Sequence, residues 1–150
     1  MSGDRGLGVI ELVLALVILG LLAVITVPQV SRYQASRDLR HAARLLAGDL
    51  RLTQQYAVTQ DENFRLVYSA TPISEYSIVR VSDSTVVRKV QLPETVTVSG
   101  SFAVTPAEFA PTGAPALAGE FCLTDGNNTI KVNVLVATGR VEQAEVTSCP

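Results

Sequence analysis

From Leu7 to Val27 the chain is a run of mostly Leu, Val, Ile and Ala in which Glu11 is the single charge. At helical rise these 21 residues make a rod of about 32 Å, enough to cross a hydrocarbon core. A carboxylate near one end of such a segment is costly, which points to a function for Glu11. A cleaved secretory signal also has a charged start and an apolar centre. This run, however, is long and has no Ala-x-Ala site after it. An ordinary membrane anchor leaves Glu11 unexplained.

Beyond Pro28 the pattern changes to one apolar stripe. Leu39, Ala42/Ala43, Leu46, Leu50, Thr53 and Ala57 recur at three- and four-residue steps and predict an amphipathic helix over 29–60. Pro28 removes a backbone donor and can bend or open the rod there. Leu7 to Gln60 is nevertheless expected to form one nearly continuous helix of about 80 Å. Asp61, Glu62 and Asn63 supply the exit. After Gln60 the period becomes two. Phe64 to Ala70, Tyr76 to Val81, Thr85 to Leu92 and Thr95 to Val104 read as strands, with turns at Thr71-Pro72 and Ser82-Asp83-Ser84. Thr105 to Gly119, rich in Pro, Gly and Ala, reads as a loop or an irregular edge. Glu120 to Thr124 and Thr129 to Ala137 form a hairpin around Asp125-Gly126-Asn127-Asn128, and Thr138-Gly139 turns the chain into Val141 to Val146. The expected fold class is α+β: a long N-terminal helix on an antiparallel, β-rich, sandwich-like domain with the strands in a meander.

Charge adds little. The net charge is −2 over 150 residues, which calls for no acidic partner and no nucleic acid overall. The helix carries Arg32, Arg37, Arg40, Arg44 and Arg51 against Asp38 and Asp49, and reads as a solvated face more readily than as a binding surface. His41 among them reads as a surface residue. With one His, no Ser-His-Asp signal, no Cys/His cluster and no phosphate-binding Gly-rich loop, the chain reads as no enzyme, and no metal or cofactor is expected. Asp125, Asn127 and Asn128 resemble only a fragment of a calcium loop. Asn127-Asn128-Thr129 matches a glycosylation sequon too short to carry weight.

Gly6, an apolar residue after it, Glu11 five positions on and an apolar helix together resemble the start of the type IV pilins and type II secretion pseudopilins. Phe109-Ala110-Pro111-Thr112-Gly113, the later strand pair and Gly139-Arg140-Val141 are similar to the GspH/FimT branch. The resemblance implies a leader over 1–6, a membrane-spanning and filament-core helix over 7–28, and a pilin-like globular domain over 29–150 with its β part at 61–150. It implies cleavage by prepilin peptidase between Gly6 and Leu7 and N-methylation of Leu7. Leu7 itself departs from the Phe commonest there. Gly20 and Pro28 stand where many pilins carry a helix-loosening Gly and a Pro. Glu11 is expected to pair with the N-terminal ammonium of a neighbouring subunit. The implied partners are other pilins or pseudopilins, the peptidase, an inner-membrane assembly platform and membrane lipid. The implied location is the bacterial inner membrane, single-pass, with the globular domain in the periplasm or outside the cell. Cys122 and Cys149, the two cysteines, then lie in an oxidising compartment and are expected to form one disulfide. Some branch members associated with DNA uptake carry Gly-Arg-x-Arg near the end and use it on DNA. Here Gly139-Arg140-Val141-Glu142 has an acid in place of the second Arg, which disfavours a DNA contact at Arg140. The function expected is a minor pilin or pseudopilin, with a DNA-binding minor pilin, using the helix arginines, Arg140 and Lys131, or a major pilin closed by the disulfide as alternatives.

Overall fold

The structure, a computed structural model, describes residues 8–68, 73–100, 107–117, 119–136 and 138–148, the side chains of 23–32 excepted. By its contacts the chain divides into two compact units, Met1–Gln34 and Ala35–Pro150. Helix α1 is assigned over Val9–Gln60 without interruption at Pro28. It ends in a Schellman turn: Asp61 takes φ +54° and the Glu62 N–H bonds to the Ala57 carbonyl at 3.3 Å. That geometry usually recruits glycine, and here an Asp fills it.

In the second unit, β1 (Phe64–Tyr68), β2 (Glu75–Arg80) and β3 (Val86–Gln91) form an antiparallel meander, with a register shift between Ile78 and Val79. β4 (Thr97–Gly100) leaves it and pairs with β6 (Gly119–Thr124). Between them β5 (Glu108–Phe109) returns to pair with β1, placing Phe109 opposite Phe64. β6, β7 (Thr129–Val134) and β8 (Val141–Val146) complete the second sheet in matched register. The orders are β3-β2-β1-β5 and β4-β6-β7-β8.

The expected single meander is therefore corrected to two four-stranded sheets between which the chain passes three times. Period-two patterning identifies strands and their buried faces but does not choose their partners. Within 105–119 the edge alternative is the one adopted. Phe109 is fully buried and bridges to Pro115. The chain folds back through Ala110–Ala114 hydrogen bonds around Gly113, whose φ is +77°. The expected Thr71-Pro72 turn and the end of the expected fourth strand, 101–104, lie outside the described residues.

Every residue of the expected stripe, Leu39, Ala42, Ala43, Leu46, Leu50, Thr53 and Ala57, is at most 1% exposed. The stripe joins one core with Phe64, Leu66, Tyr76, Ile78 and Phe109 of the first sheet and Val98, Phe121, Leu123, Val132 and Val141 of the second. Burying Leu39, Leu46 and Leu50 contributes about 1.5–3 kcal/mol each, so this helix face holds both sheets.

Candidate assembly surfaces

In the first unit the arrangement is reversed. Every Leu, Val and Ile from Val9 to Leu22 is at least 50% exposed, with Val9 and Ile10 above 80%. Exposed apolar surface on this scale marks a face made to be covered by protein or lipid. Among the described residues no helix is long and apolar enough to cross a membrane. Glu11 lies exposed in the first turn, its N–H bonded to the Gly8 carbonyl at 2.9 Å, where the helix dipole favours a carboxylate. Gly20 lies in the helix with no atom within 4 Å of where a Cβ would stand, so no contact within the chain requires its small size. The cleavage site, Gly6 and Leu7, lies outside the described residues, as does the side chain of Pro28.

The second unit has a polar centre that the patterning did not separate from the helix surface. Asp49 is 4% exposed, where a solvated face was expected. Its Oδ2 accepts the Tyr76 hydroxyl at 2.7 Å and its Oδ1 lies 3.1 Å from Arg88 Nε. The neighbouring Thr53 hydroxyl returns to the Asp49 carbonyl at 2.6 Å. Burial first, then the bond and charge of Asp49, push the Tyr76 hydroxyl well above the usual tyrosine range, with Arg88 opposing. A buried carboxylate needs such partners, and these join α1 to β2 and β3. Spacing contained the signal: Asp49 falls three residues after Leu46 and four before Thr53, inside the stripe.

Other ties reach the second sheet. Arg51 Nη2 donates to the Val141 carbonyl at 3.1 Å, Gln143 Nε2 to the Ala43 carbonyl at 3.3 Å, and Gln54 Nε2 to the Gly113 carbonyl at 2.8 Å. The β7–β8 turn closes on the Gln54 bond. Gly139 has φ +63°, and a Cβ there would stand 2.4 Å from Gln54 Nε2 and 2.7 Å from the Gly113 carbonyl oxygen. Only glycine fits both constraints.

Arg140 is exposed beside it, its Nε 3.3 Å from Glu142, and Lys131 is paired with Glu120. Two of the charges nominated for nucleic acid, Arg140 and Lys131, are thus paired within the chain. Arg37, Arg40, His41, Arg44 and Arg51 are exposed, while Arg32 lies among the side chains outside the described residues. Cys122 is buried in β6 and is disulfide-bonded; Cys149 lies outside the described residues. Among the described residues no group of His, Cys, Asp or Glu could hold a metal ion. The Asp125 carboxylate accepts instead from the Asn127 and Asn128 N–H groups at 2.8 and 2.6 Å. Partial desolvation opposes its charge, but these donors hold it below the usual carboxylate range, so the turn is closed by its own side chain.

The family model of the type II transport protein GspH matches residues 42–139. The chain belongs to the GspH family. Two crystal forms of the Pseudomonas aeruginosa (strain PAO1) type IV minor pilin FimU share the GspH-family fold seen here. One has a TM-score of 0.64 at 19% identity, covering 75% of this chain and 100% of that one. The other has 0.66 at 18%, covering 79% and 99%. The minor pseudopilin EpsH from the type 2 secretion system of Vibrio cholerae follows at 0.60 and 9% identity, covering 72% of this chain and 97% of that one. Comparison with curated sequences gives no match. The α+β architecture, with antiparallel sheets and an N-terminal helix, is that of pilins.

Proposed function

We propose that this GspH-family chain is a minor pilin or pseudopilin, a structural subunit of a type IV pilus or type II secretion filament. Prepilin peptidase removes residues 1–6 by cutting between Gly6 and Leu7, and Leu7 is N-methylated. Residues 7–28 hold the subunit in the inner membrane through lipid and then pack in the filament core with other pilin helices, drawn there by the assembly platform. Residues 29–150 remain as the globular domain, in the periplasm or outside the cell, closed by a Cys122–Cys149 disulfide. Gly20 and Pro28 give the helix its latitude to repack. The observation that carries the reading is the helix surface from Val9 to Leu22, apolar and exposed on every side. Such a surface is unstable in water and is satisfied in lipid or among like helices.

Glu11 sets the register. In hydrocarbon its carboxylate and the Leu7 ammonium of a neighbour are each unfavourable alone, and pairing removes both penalties. The tests are two. N-terminal mass spectrometry on membrane-extracted protein should find a methylated Leu7; an intact Met1 or a start beyond Pro28 sinks the processing scheme. Glu11→Val should leave membrane insertion intact and sharply reduce incorporation into filaments. Wild-type incorporation of that variant refutes the pairing.

A further inference from the structure

Along the seam where α1 runs beside β8 there are two open clefts. One, of about 480 Å³, lies between Arg51 and Gln54 on the helix and the Thr138–Gln143 segment. The other, of about 390 Å³, lies between Arg40 and Arg44 on the helix and Gln143–Glu145 on the strand. Gln143 lines both, and its side chain donates to the Ala43 carbonyl. β8 is the last strand of its sheet, so among the described residues no further strand covers this side.

The helix wall is basic, with Arg51 already donating to the Val141 carbonyl. Among the described residues neither Arg40, Arg44 nor Arg51 is in an ion pair, although Glu145 lines the same cleft as Arg40 and Arg44. The cleft holds that carboxylate beyond ion-pair reach and leaves room for another. Arg140 answers Glu142 at the far end.

We propose that this groove binds an extended acidic segment of a partner protein, with one carboxylate entering each cleft on either side of the Gln143 bridge. The spacing follows from the helix. From the midpoint of Arg40 and Arg44 to Arg51 the rise is about 14 Å. Extended chain covers that distance in about four residue steps, and side chains at i and i+4 lie on the same face. The recognised pattern is therefore two acids four residues apart, with neutral residues between them facing the strand wall. Duplex DNA fits less well: its unbroken phosphate rows would meet Glu142 and Glu145 along that wall. The proposal goes beyond the filament reading and does not depend on it, since every residue it uses lies within Ala35–Pro150.

The test uses the full chain in neutral detergent and fluorescence anisotropy with a labelled peptide, Ser-Glu-Thr-Val-Thr-Glu-Ser. Saturable binding is expected at low salt, weakening as salt rises. Replacing both Glu by Gln in the peptide should abolish it, and placing the two acids side by side should weaken it severalfold. Arg44→Glu and Arg51→Glu should each cost about tenfold in affinity, equivalent to about 1.4 kcal/mol. Arg37→Glu, on the same helix but lining neither cleft, should stay within about twofold. Circular dichroism checks that each variant keeps its fold. Absence of binding to the acidic peptide overturns the proposal. So does an equal loss in Arg37→Glu, or a short DNA duplex that binds more tightly than the peptide and shows the same Arg44 and Arg51 dependence.

Discussion

Removing the Asp49 carboxylate is the most informative perturbation of the second unit, because one side chain there ties the helix to two strands. In Asp49→Ala the Tyr76 hydroxyl, at 1% exposure of its residue, loses its acceptor, which costs about 1–3 kcal/mol for a buried group left unsatisfied. The Arg88 side chain is 43% exposed and rehydrates, so its share is that of a surface pair, about 0.2–1 kcal/mol. The sum, about 1.2–4 kcal/mol, is a large fraction of a domain's stability. Urea unfolding of Ala35–Pro150, which contains the whole core, should show a midpoint lower by about 1–3 M at an ordinary slope. Tyr76→Phe alone should cost less, since Asp49 keeps Arg88. The double variant Asp49→Ala, Tyr76→Phe should be more stable than the sum of the two predicts, because no hydroxyl is then stranded. The ionisation of Tyr76 gives a second readout. Its folded pKa is raised, so its contribution is complete below about pH 10, where an unfolded tyrosine ionises, and is lost as pH rises beyond that. The wild type should therefore lose up to about 1.4 kcal/mol per pH unit relative to Tyr76→Phe above that point. Additive costs in the cycle, or parallel pH profiles for wild type and Tyr76→Phe, refute this account of the centre.

Three further outcomes test the fold around the assembly surfaces. Asp61→Gly should stabilise the domain by about 0.5–1 kcal/mol in thermal unfolding, because the Schellman position then carries no Cβ. Gly139→Ala should destabilise by about 2–3 kcal/mol, from left-handed strain together with loss of the Gln54 bond to Gly113, and Gln54→Ala should make the same substitution less costly. Reducing the disulfide in exported protein should release two thiols and lower stability by about 3.5 kcal/mol, the chain-entropy value for a loop of about 28 residues. Labelling of both thiols before reductant is added refutes the Cys122–Cys149 pairing.

Much of the fold was legible because burial on one side leaves a periodic trace. The stripe from Leu39 to Ala57 and the alternation in β7, where Ile130, Val132 and Val134 point inward, come directly from which face meets the core. Strand β8 was placed at its observed bounds for a related reason: Gly139 before it is fixed by the turn. The sheet partition left no such trace. Val98 of β4 and Phe109 of β5 are equally apolar and equally buried, and nothing local says that one belongs beside β6 and the other beside β1. Their pairing follows from how the chain closes over the helix, a long-range condition.

The functional surfaces divide along the same line. The exposed apolar face from Val9 to Leu22 was legible because an unbroken apolar run leaves few positions that could face water. Asp49 was not, because charge and burial give opposite readings of the same residue, and a helix surface rich in arginine made the solvated reading the cheaper one. The resolution lies in partners distant in sequence: Tyr76 is 27 residues away and Arg88 is 39. The groove beside β8 has the same character. Arg40 and Arg44 look like ordinary helix charges until a strand about 100 residues later is placed opposite them. The same arginines that solvate an isolated helix then become one wall of a cleft, and their charge has a direction. A surface residue acquires binding chemistry when the tertiary fold supplies the second wall, which is why the helix pattern alone read Arg40 and Asp49 as equivalent polar positions.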